Sequence, residues 1–316
     1  MSLVFCIVIL SGNLLIIIAV IVDPLKKLRT PFSYFLVNLA VSDLVVGAVT
    51  MPVSYVVHQD EVTLFIPNYK VKLLHISYFI AATGSVLSLG ALSLDRYVAI
   101  RWPIRYRRRL SMLRCFAISI VIWLFSGSVS LIYLKTGYID FLMVFAHISV
   151  VTTLVLLVVT YRQVYKAFRT QANELRALQR TTPNPQNEDW RKARNEKKVT
   201  RAFLYILGLF VCCYVPAIVM IYILQFCTQC SCDARHVLRD AQFLLVSVNS
   251  AMNPFVCTIR LGPFRRSIIA LFWRRRKQEV TYAPKDRAVY IHGRDNEGVN
   301  EVTVASSTNT DSFQAH

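Results

Sequence analysis

Residues 73–100 read LLHISYFIAATGSVLSLGALSLDRYVAI. No Lys, Arg, Asp or Glu interrupts the run from Leu73 to Leu94, and charge returns at Asp95-Arg96. An α-helix needs roughly 20 apolar residues to cross a bilayer, so this run is long enough to span one and too long for a soluble strand. An unpaired backbone amide is costly in hydrocarbon, and the alternating pattern of a closed barrel is absent, so the segment must be a helix.

Six more apolar segments flank it, at 1–22, 32–57, 115–134, 141–168, 199–226 and 237–259. The chain is therefore predicted to be an all-α membrane protein, a seven-transmembrane helix bundle. Composition agrees. The hydrophobic share is 55% and the charged share 17%, against roughly 45–50% and 25% in soluble domains. Mean hydropathy is +0.45. No internal repeat is evident, which counts against an inverted-repeat transporter.

A net charge of +18 over 316 residues would suggest nucleic acid if it lay on one soluble face. Instead the Lys and Arg residues sit in blocks between the apolar runs, which excludes nucleic acid as a partner and points to loops at a membrane surface. Basic residues favour the cytoplasmic side. Blocks at 23–31, 96–114, 162–201 and from Arg260 onward hold all but Lys70, Lys72, Lys135, Arg235 and Arg239. That asymmetry predicts a multi-pass plasma-membrane protein with its N-terminus outside and C-terminus cytoplasmic. The first segment ends in Asp23-Pro24-Leu25-Lys26-Lys27, a stop-transfer pattern rather than a signal-peptide cleavage site. Almost no polar tail precedes it, which leaves truncation at the N-terminus open.

Residues 169–198 form a polar third cytoplasmic loop containing Thr182-Pro183-Asn184-Pro185. Residues 263–273 alternate Phe264, Ile268, Ile269, Leu271 and Phe272 with Arg265 and Arg266. This is an amphipathic eighth helix suited to the inner leaflet, where basic side chains meet membrane lipids. Residues 279–316 read as a disordered tail. Cys227, Cys230 and Cys232 cluster in a polar stretch. A loop disulfide with one spare thiol is expected; a zinc site is the alternative, although no fourth ligand stands at a usual spacing.

An ionisable group at mid-membrane usually marks function. Asp43 is one, with Asn13, Ser85, Asn249, Ser250 and Asn253 at comparable depth. Asn249 and Asn253 are four apart and share a helix face. A carboxylate among hydroxyl and amide oxygens suits a small cation, and sodium is the natural one; a protonated, hydrogen-bonded carboxyl is the blander alternative. No other cofactor is expected.

The motifs, taken in order, resemble those of rhodopsin-like G-protein-coupled receptors. Gly12-Asn13 matches the first-helix signature and Asn38-Leu39-Ala40-Val41-Ser42-Asp43 the second-helix N-L-A-x-x-D. Asp95-Arg96-Tyr97 looks like the third-helix DRY, and Trp123 matches the fourth-helix Trp. Phe210-Val211-Cys212-Cys213-Tyr214-Val215-Pro216 resembles F-x-x-C-W-x-P, and Asn253-Pro254-Phe255-Val256-Cys257 resembles N-P-x-x-Y.

That resemblance implies a receptor carrying an extracellular signal to a heterotrimeric G-protein. Arg96 would pair with Asp95 and Glu196 in the resting state. On activation the sixth helix would swing outward about Pro216, and Tyr161 would support the released Arg96. Ile104 would offer the G-protein an apolar contact. Sodium would sit with Asp43, Ser85, Asn249 and Asn253. Candidate pocket residues are Tyr78, Ala82, Phe145, Ser149, Tyr214, Ala217, Ile221, Phe243 and Ser247, for a small-molecule, lipid or peptide ligand, with a largely apolar one preferred.

Departures narrow the branch. Tyr214 replaces the usual Trp and Cys257 the usual Tyr. Val71 stands at the third-helix Cys position, 135–140 hold no Cys, and Thr153 replaces the fifth-helix Pro. These features are similar to the melanocortin branch and, less closely, to its cannabinoid and adenosine relatives. Tyr78 replaces the Asp of amine receptors and Ser247 the retinal Lys of opsins, so neither a monoamine nor retinal is expected. Val53, Val71 and His75 stand where melanocortin receptors carry acids. Two rival readings are a non-signalling decoy or scaffold receptor, encouraged by Tyr214 and Cys257, and a seven-helix transporter relaying ions through Asp43. The transporter leaves Arg96, Glu196 and Ile104 without a role. An enzyme has no nucleophile, metal motif or phosphate loop to stand on.

Overall fold

The computed structural model describes residues 2–62, 67–101, 112–137, 141–149, 151–156, 158–162, 165, 188–227 and 229–282. The described residues are almost wholly helical and contain no strand. We number the helices α1 (Ser2–Val22), α2 (Pro31–Val45, then a π-helical turn Val46–Thr50 and a further stretch Met51–Val62), α3 (Asn68–Arg101), α4 (Met112–Thr136), α5 (Phe141–Arg162), α6 (Glu188–Phe226), α7 (Cys232–Arg260) and α8 (Gly262–Tyr282). Seven of these are long and apolar enough to cross a membrane.

Several boundaries differ from those expected. Helix α3 starts at Asn68 rather than 73, and α4 runs from Met112 rather than 115. Helix α6 starts at Glu188, inside the stretch expected to be loop, because 188–198 combine good helix formers with an apolar continuation that pays the nucleation cost. Helix α7 starts at Cys232 instead of 237, capped by Ser231, whose hydroxyl accepts from Ala234 N–H at 3.2 Å. Helix α8 runs past 273 to Tyr282, into the stretch expected to be disordered from 279. The chain divides into two compact units, Met1–Arg274 and Arg275–His316.

Local chemistry explains the breaks. Asp23 and Lys26 take φ of 34° and 51° in the α1–α2 turn. The buried Asp23 carboxylate accepts the backbone N–H groups of Lys27 (2.9 Å) and Leu28 (3.1 Å), which fixes a conformation that Asp tolerates better than most residues. Thr30 then caps α2 by accepting Ser33 N–H, with Pro31 at the first helical position. Pro52 lacks an N–H and cannot close the α-helical bond to the carbonyl four residues back. The helix answers by widening: Met51 N–H reaches Val46 O, the i→i−5 bond of a π turn. At that turn α1 comes close, since a Cβ on Gly47 would lie 2.8 Å from Ile9 Cγ2.

Packing follows the same logic. α2 lies along α3, and α6 along α7. Their inward faces bury Leu36, Leu39, Leu89, Leu92, Phe203, Leu207 and Phe210 in one cluster. The outer surface is apolar as well: Leu113 of α4 is 76% exposed, and Ile21 of α1 and Phe116 and Leu124 of α4 are also bare. Soluble proteins rarely expose contiguous apolar surface on that scale; in a bilayer it faces lipid.

Candidate functional site

At one end of α3, Asp95 and Arg96 are both buried, at 3% exposure. Arg96 Nε and Nη2 donate to the same carboxylate oxygen, Asp95 Oδ2, at 3.0 and 2.6 Å. The Arg96 guanidinium also lies over the Phe32 ring, 4.7 Å from its centroid, a cation–π contact that the sequence reading missed. Phe32 is the second residue of α2, so its place beside Arg96 depends on how α2 enters the bundle. Ile104 and the side chain of Glu196 lie outside the described residues. Tyr161 is exposed and stacks on Tyr165 with centroids 6.4 Å apart.

Tyr97 continues α3 beyond Arg96 and is half-buried. Across the bundle, Phe210 and Tyr214 stack at 4.0 Å, both buried, just before Pro216 in α6. Tyr205 of α6 receives the Arg260 guanidinium of α7 over its ring at 4.1 Å. Cys257, in place of a tyrosine, is fully buried and so offers no group to the helix ends.

Midway along the bundle lies a buried polar seam. Asn253 Nδ2 donates to Asp43 Oδ2 at 2.8 Å, with the Ser250 side chain beside the same carboxylate. Pro254 deprives the Ser250 carbonyl of its helical donor. Asn13 Nδ2 supplies one at 3.2 Å, while also bonding Ile9 O at 3.0 Å. The two helices can approach because residue 12 is glycine: a Cβ there would lie 2.9 Å from Pro254 Cγ. Likewise a Cβ on Gly84 would meet Ser42 Oγ at 2.7 Å. Trp123 Nε1 donates to Asn38 Oδ1 at 3.3 Å, which ties α4 to α2.

Within this seam Asn13 Oδ1, Asp43 Oδ1, Asn249 Oδ1 and Asn253 Oδ1 are buried and have no hydrogen-bond donor. Ser85 is buried at 3%. Buried polar atoms are seldom left unpaired; Asn38 Nδ2 is a further unpartnered donor, and the four unpartnered acceptor oxygens fit a hard cation, which takes oxygen ligands. Among the described residues no three His, Cys, Asp or Glu side chains converge on a metal position, so a single carboxylate with neutral oxygens suits a low-charge ion.

Toward the other end of the bundle, Tyr78 stacks on Phe243 at 6.3 Å and its hydroxyl accepts from Gln242 Nε2 at 3.4 Å. Ser247 Oγ is engaged within its own helix, by Phe243 O at 2.8 Å, and reaches Met51 Sδ at 3.0 Å. Phe145 packs edge-on to Phe79 at 5.2 Å, in a cluster with Tyr133 and Phe141 that joins α3, α4 and α5. His75 Nδ1 meets Tyr133 OH at 2.9 Å in the same region. Ala82, Ser149, Tyr214, Ala217 and Ile221 are buried.

A cavity of about 300 Å³ opens between α5, α6 and α7, lined by Leu142, Ile221, Leu224, Gln225, Arg235, His236, Arg239 and Gln242. Of the pocket residues singled out in the sequence, only Ile221 lines it. Arg235, Arg239 and Gln242 follow i, i+4, i+7 spacing on one helix face. That signal was hidden because the helix was expected to begin at 237. Just before it, Cys227 and Cys230 form a disulfide and Cys232 is a free, exposed thiol. With two of the three thiols joined, the zinc alternative has no ligand set.

Residues 12–140 and 134–256 match the family described as "7 transmembrane receptor (rhodopsin family)". Among curated proteins, the chain is 25% identical over 325 residues to adenosine receptor A2a of Canis lupus familiaris, covering 91% of this chain and 76% of the relative. It is 27% identical over 310 residues to the D(1) dopamine receptor of Carassius auratus, covering 83% and 84%. The human adenosine receptor A2a is 25% identical over 327 residues, with 91% and 76% covered. Seven apolar helices, an Asp-Arg pair buried at one end and a polar seam joining α1, α2 and α7 thus coincide with a family match running through nearly all the spans, and the chain belongs to the rhodopsin family of seven-transmembrane receptors, the class A G-protein-coupled receptors, which are receptors and not enzymes.

Proposed function

We propose that this G-protein-coupled receptor is switched by an extracellular ligand that releases Arg96, with α6 moving outward about Pro216. The observation that carries this reading is the burial of Arg96, whose guanidinium donates twice to the carboxylate of its chain neighbour Asp95. Burying such a pair costs desolvation that close contact must offset. Outward movement of α6 would admit water to that end and lower the cost of separating the two groups. Tyr214, a candidate pocket residue, stacks on Phe210, which lies one turn nearer this end of α6, so a change in Tyr214 packing has a direct path along the helix that moves. Glu196, Tyr161 and Ile104 are assigned the restraining, supporting and G-protein-contacting roles.

The chain is read as a plasma-membrane protein with its N-terminus outside and the Arg96 end cytoplasmic. Thermodynamically, an agonist and a G-protein that both favour the open state strengthen each other's binding. Asp43, Ser85, Asn249 and Asn253 would hold a sodium ion, whose charge would balance the buried carboxylate. In each reading Asn253 joins α7 to Asp43, so α7 cannot shift without changing that hydrogen bond.

The test is ligand-independent guanine-nucleotide exchange on a purified heterotrimer in vesicles, measured beside ion flux. Exchange that depends on Arg96, without flux, supports the reading. Flux without exchange refutes it in favour of a transporter, and exchange insensitive to Arg96→Ala refutes the switch.

A further inference from the structure

We propose that the cavity between α5, α6 and α7 binds an anionic amphiphile, with a carboxylate or phosphate head held by Arg235 and Arg239 and a short apolar chain laid on Leu142, Ile221 and Leu224. This rests on the reading of the chain as a ligand-activated receptor and names the class of ligand. The lining is divided by chemistry. Ile221 is buried and, with Leu142 and Leu224, offers an apolar wall, whereas Arg235, His236 and Arg239 stand exposed on the α7 side. Among the described residues no carboxylate lines the cavity. Arg235 makes no ion pair among the described residues. Arg239 has its Nε 3.7 Å from Asp240 Oδ1 and its Nη2 3.1 Å from His236 Nδ1. Its ion pair with Asp240 is solvent-exposed on both sides, at 44% and 59%, so it is weak and easily exchanged for a better acceptor.

A guanidinium presents a planar fork that matches carboxylate or phosphate oxygens two at a time. Two such forks stand one helical turn apart on one face of α7 and line the same cavity, within reach of one head group. A cationic ligand would be repelled, and a neutral one would gain no charge-assisted hydrogen bond from either arginine. The volume, about 300 Å³, is at the small end of the roughly 300–1,000 Å³ of ligand cavities, so a short chain fits and a folded peptide does not. The cavity also reaches residues of the candidate ligand pocket. Gln242, 7% exposed, lines it and donates to Tyr78, which stacks on Phe243. Occupancy that moves Gln242 therefore perturbs the Tyr78 hydroxyl directly.

The experiment uses the full-length receptor in nanodiscs and equilibrium dialysis of three radiolabelled probes with one chain length: decanoate, decyl phosphate and decanol, with empty nanodiscs subtracted. Hydrogen bonds to charged groups are strong enough that both anions should bind about tenfold or more tighter than decanol. Arg235→Gln with Arg239→Gln should remove that advantage, and the double Lys variant should keep most of it. Ile221→Trp, which fills the cavity, should weaken all three probes. Both arginines are exposed, so thermal midpoints near wild type are expected and identify any variant that misfolds. Preference for decanoate or for decyl phosphate assigns the head group and supports the proposal in either case. Decanol binding as tightly as decanoate, or an unchanged anion affinity in the double Gln variant, overturns it. Nucleotide exchange in the same preparations separates the two readings: head-group selectivity without exchange removes the receptor switch and leaves the site, and exchange without selectivity does the reverse.

Discussion

Replacing Asp95 by Asn removes the negative charge from a buried pair and leaves the shape almost unchanged. In the structure, two guanidinium nitrogens of Arg96 converge on Asp95 Oδ2 at 3.0 and 2.6 Å, and both residues are only 3% exposed. An amide oxygen can accept one of those bonds but cannot neutralise the guanidinium. Breaking a buried pair by removing one partner costs about 3–5 kcal/mol; retention of one hydrogen bond and of the Phe32 contact at 4.7 Å puts the loss nearer the lower figure. The open state, in which water reaches Arg96, does not bear this cost. If the open form is about 1% populated at rest, within the usual range for a minor state, a relative shift of about 3 kcal/mol corresponds to roughly a hundredfold change in the ratio, enough to bring the two forms near parity. Agonist-independent nucleotide exchange per receptor, corrected for surface expression, should therefore rise by at least tenfold. Thermal stability of the resting form should fall in parallel. Basal exchange equal to wild type, in a variant whose stability has dropped as expected, would show that the pair holds the fold without holding the switch.

Three further outcomes follow from the seam. Sodium should weaken agonist binding in the native receptor and lose that effect in Asp43→Asn, as read by competition binding in sodium against N-methylglucamine chloride; equal sensitivity in both argues against the cation site. Asn13→Ala strips the Ser250 carbonyl of its donor from α1 and should lower stability by about 1–3 kcal/mol, the cost of a buried unsatisfied group, seen as a reduced thermal midpoint in detergent. Gly12→Ala places a methyl 2.9 Å from Pro254 Cγ and should cost about 1–3 kcal/mol by overpacking, whereas Gly127→Ala, with nothing within 4 Å, should cost none; similar midpoints for the two would contradict the packing.

The membrane made much of this protein legible from composition alone. Hydrocarbon leaves a long apolar segment no choice but helix, so the seven spans can be counted from runs such as Leu73–Leu94 without knowing any contact. Mid-membrane Asp43 stands out for the same reason, because a charge there is expensive and must be matched, whereas Asp95-Arg96 at a helix end stands out only through its resemblance to a receptor motif. Helix ends were less legible. Ser231 extends α7 back to Cys232 through a single side-chain bond, and apolar periodicity carries no trace of it. Glu188 to Lys198 look like loop because their polarity reflects water rather than conformation.

What only the tertiary structure decided are the meetings between residues far apart in the chain. That Asn13 serves the carbonyl freed by Pro254, that Phe32 covers Arg96, and that Tyr161 faces outward beside Tyr165 depend on where helices cross, and crossing is set by shape at positions such as Gly12 and Gly47. The same holds for the basic wall of the α5–α7 cavity. Arg235 and Arg239 are ordinary loop charges until the capped first turn of α7 turns them, with Gln242, toward Ile221. Burial cost acts on each residue alone and can be read along the chain, whereas complementarity acts on pairs and exists only once the helices are packed.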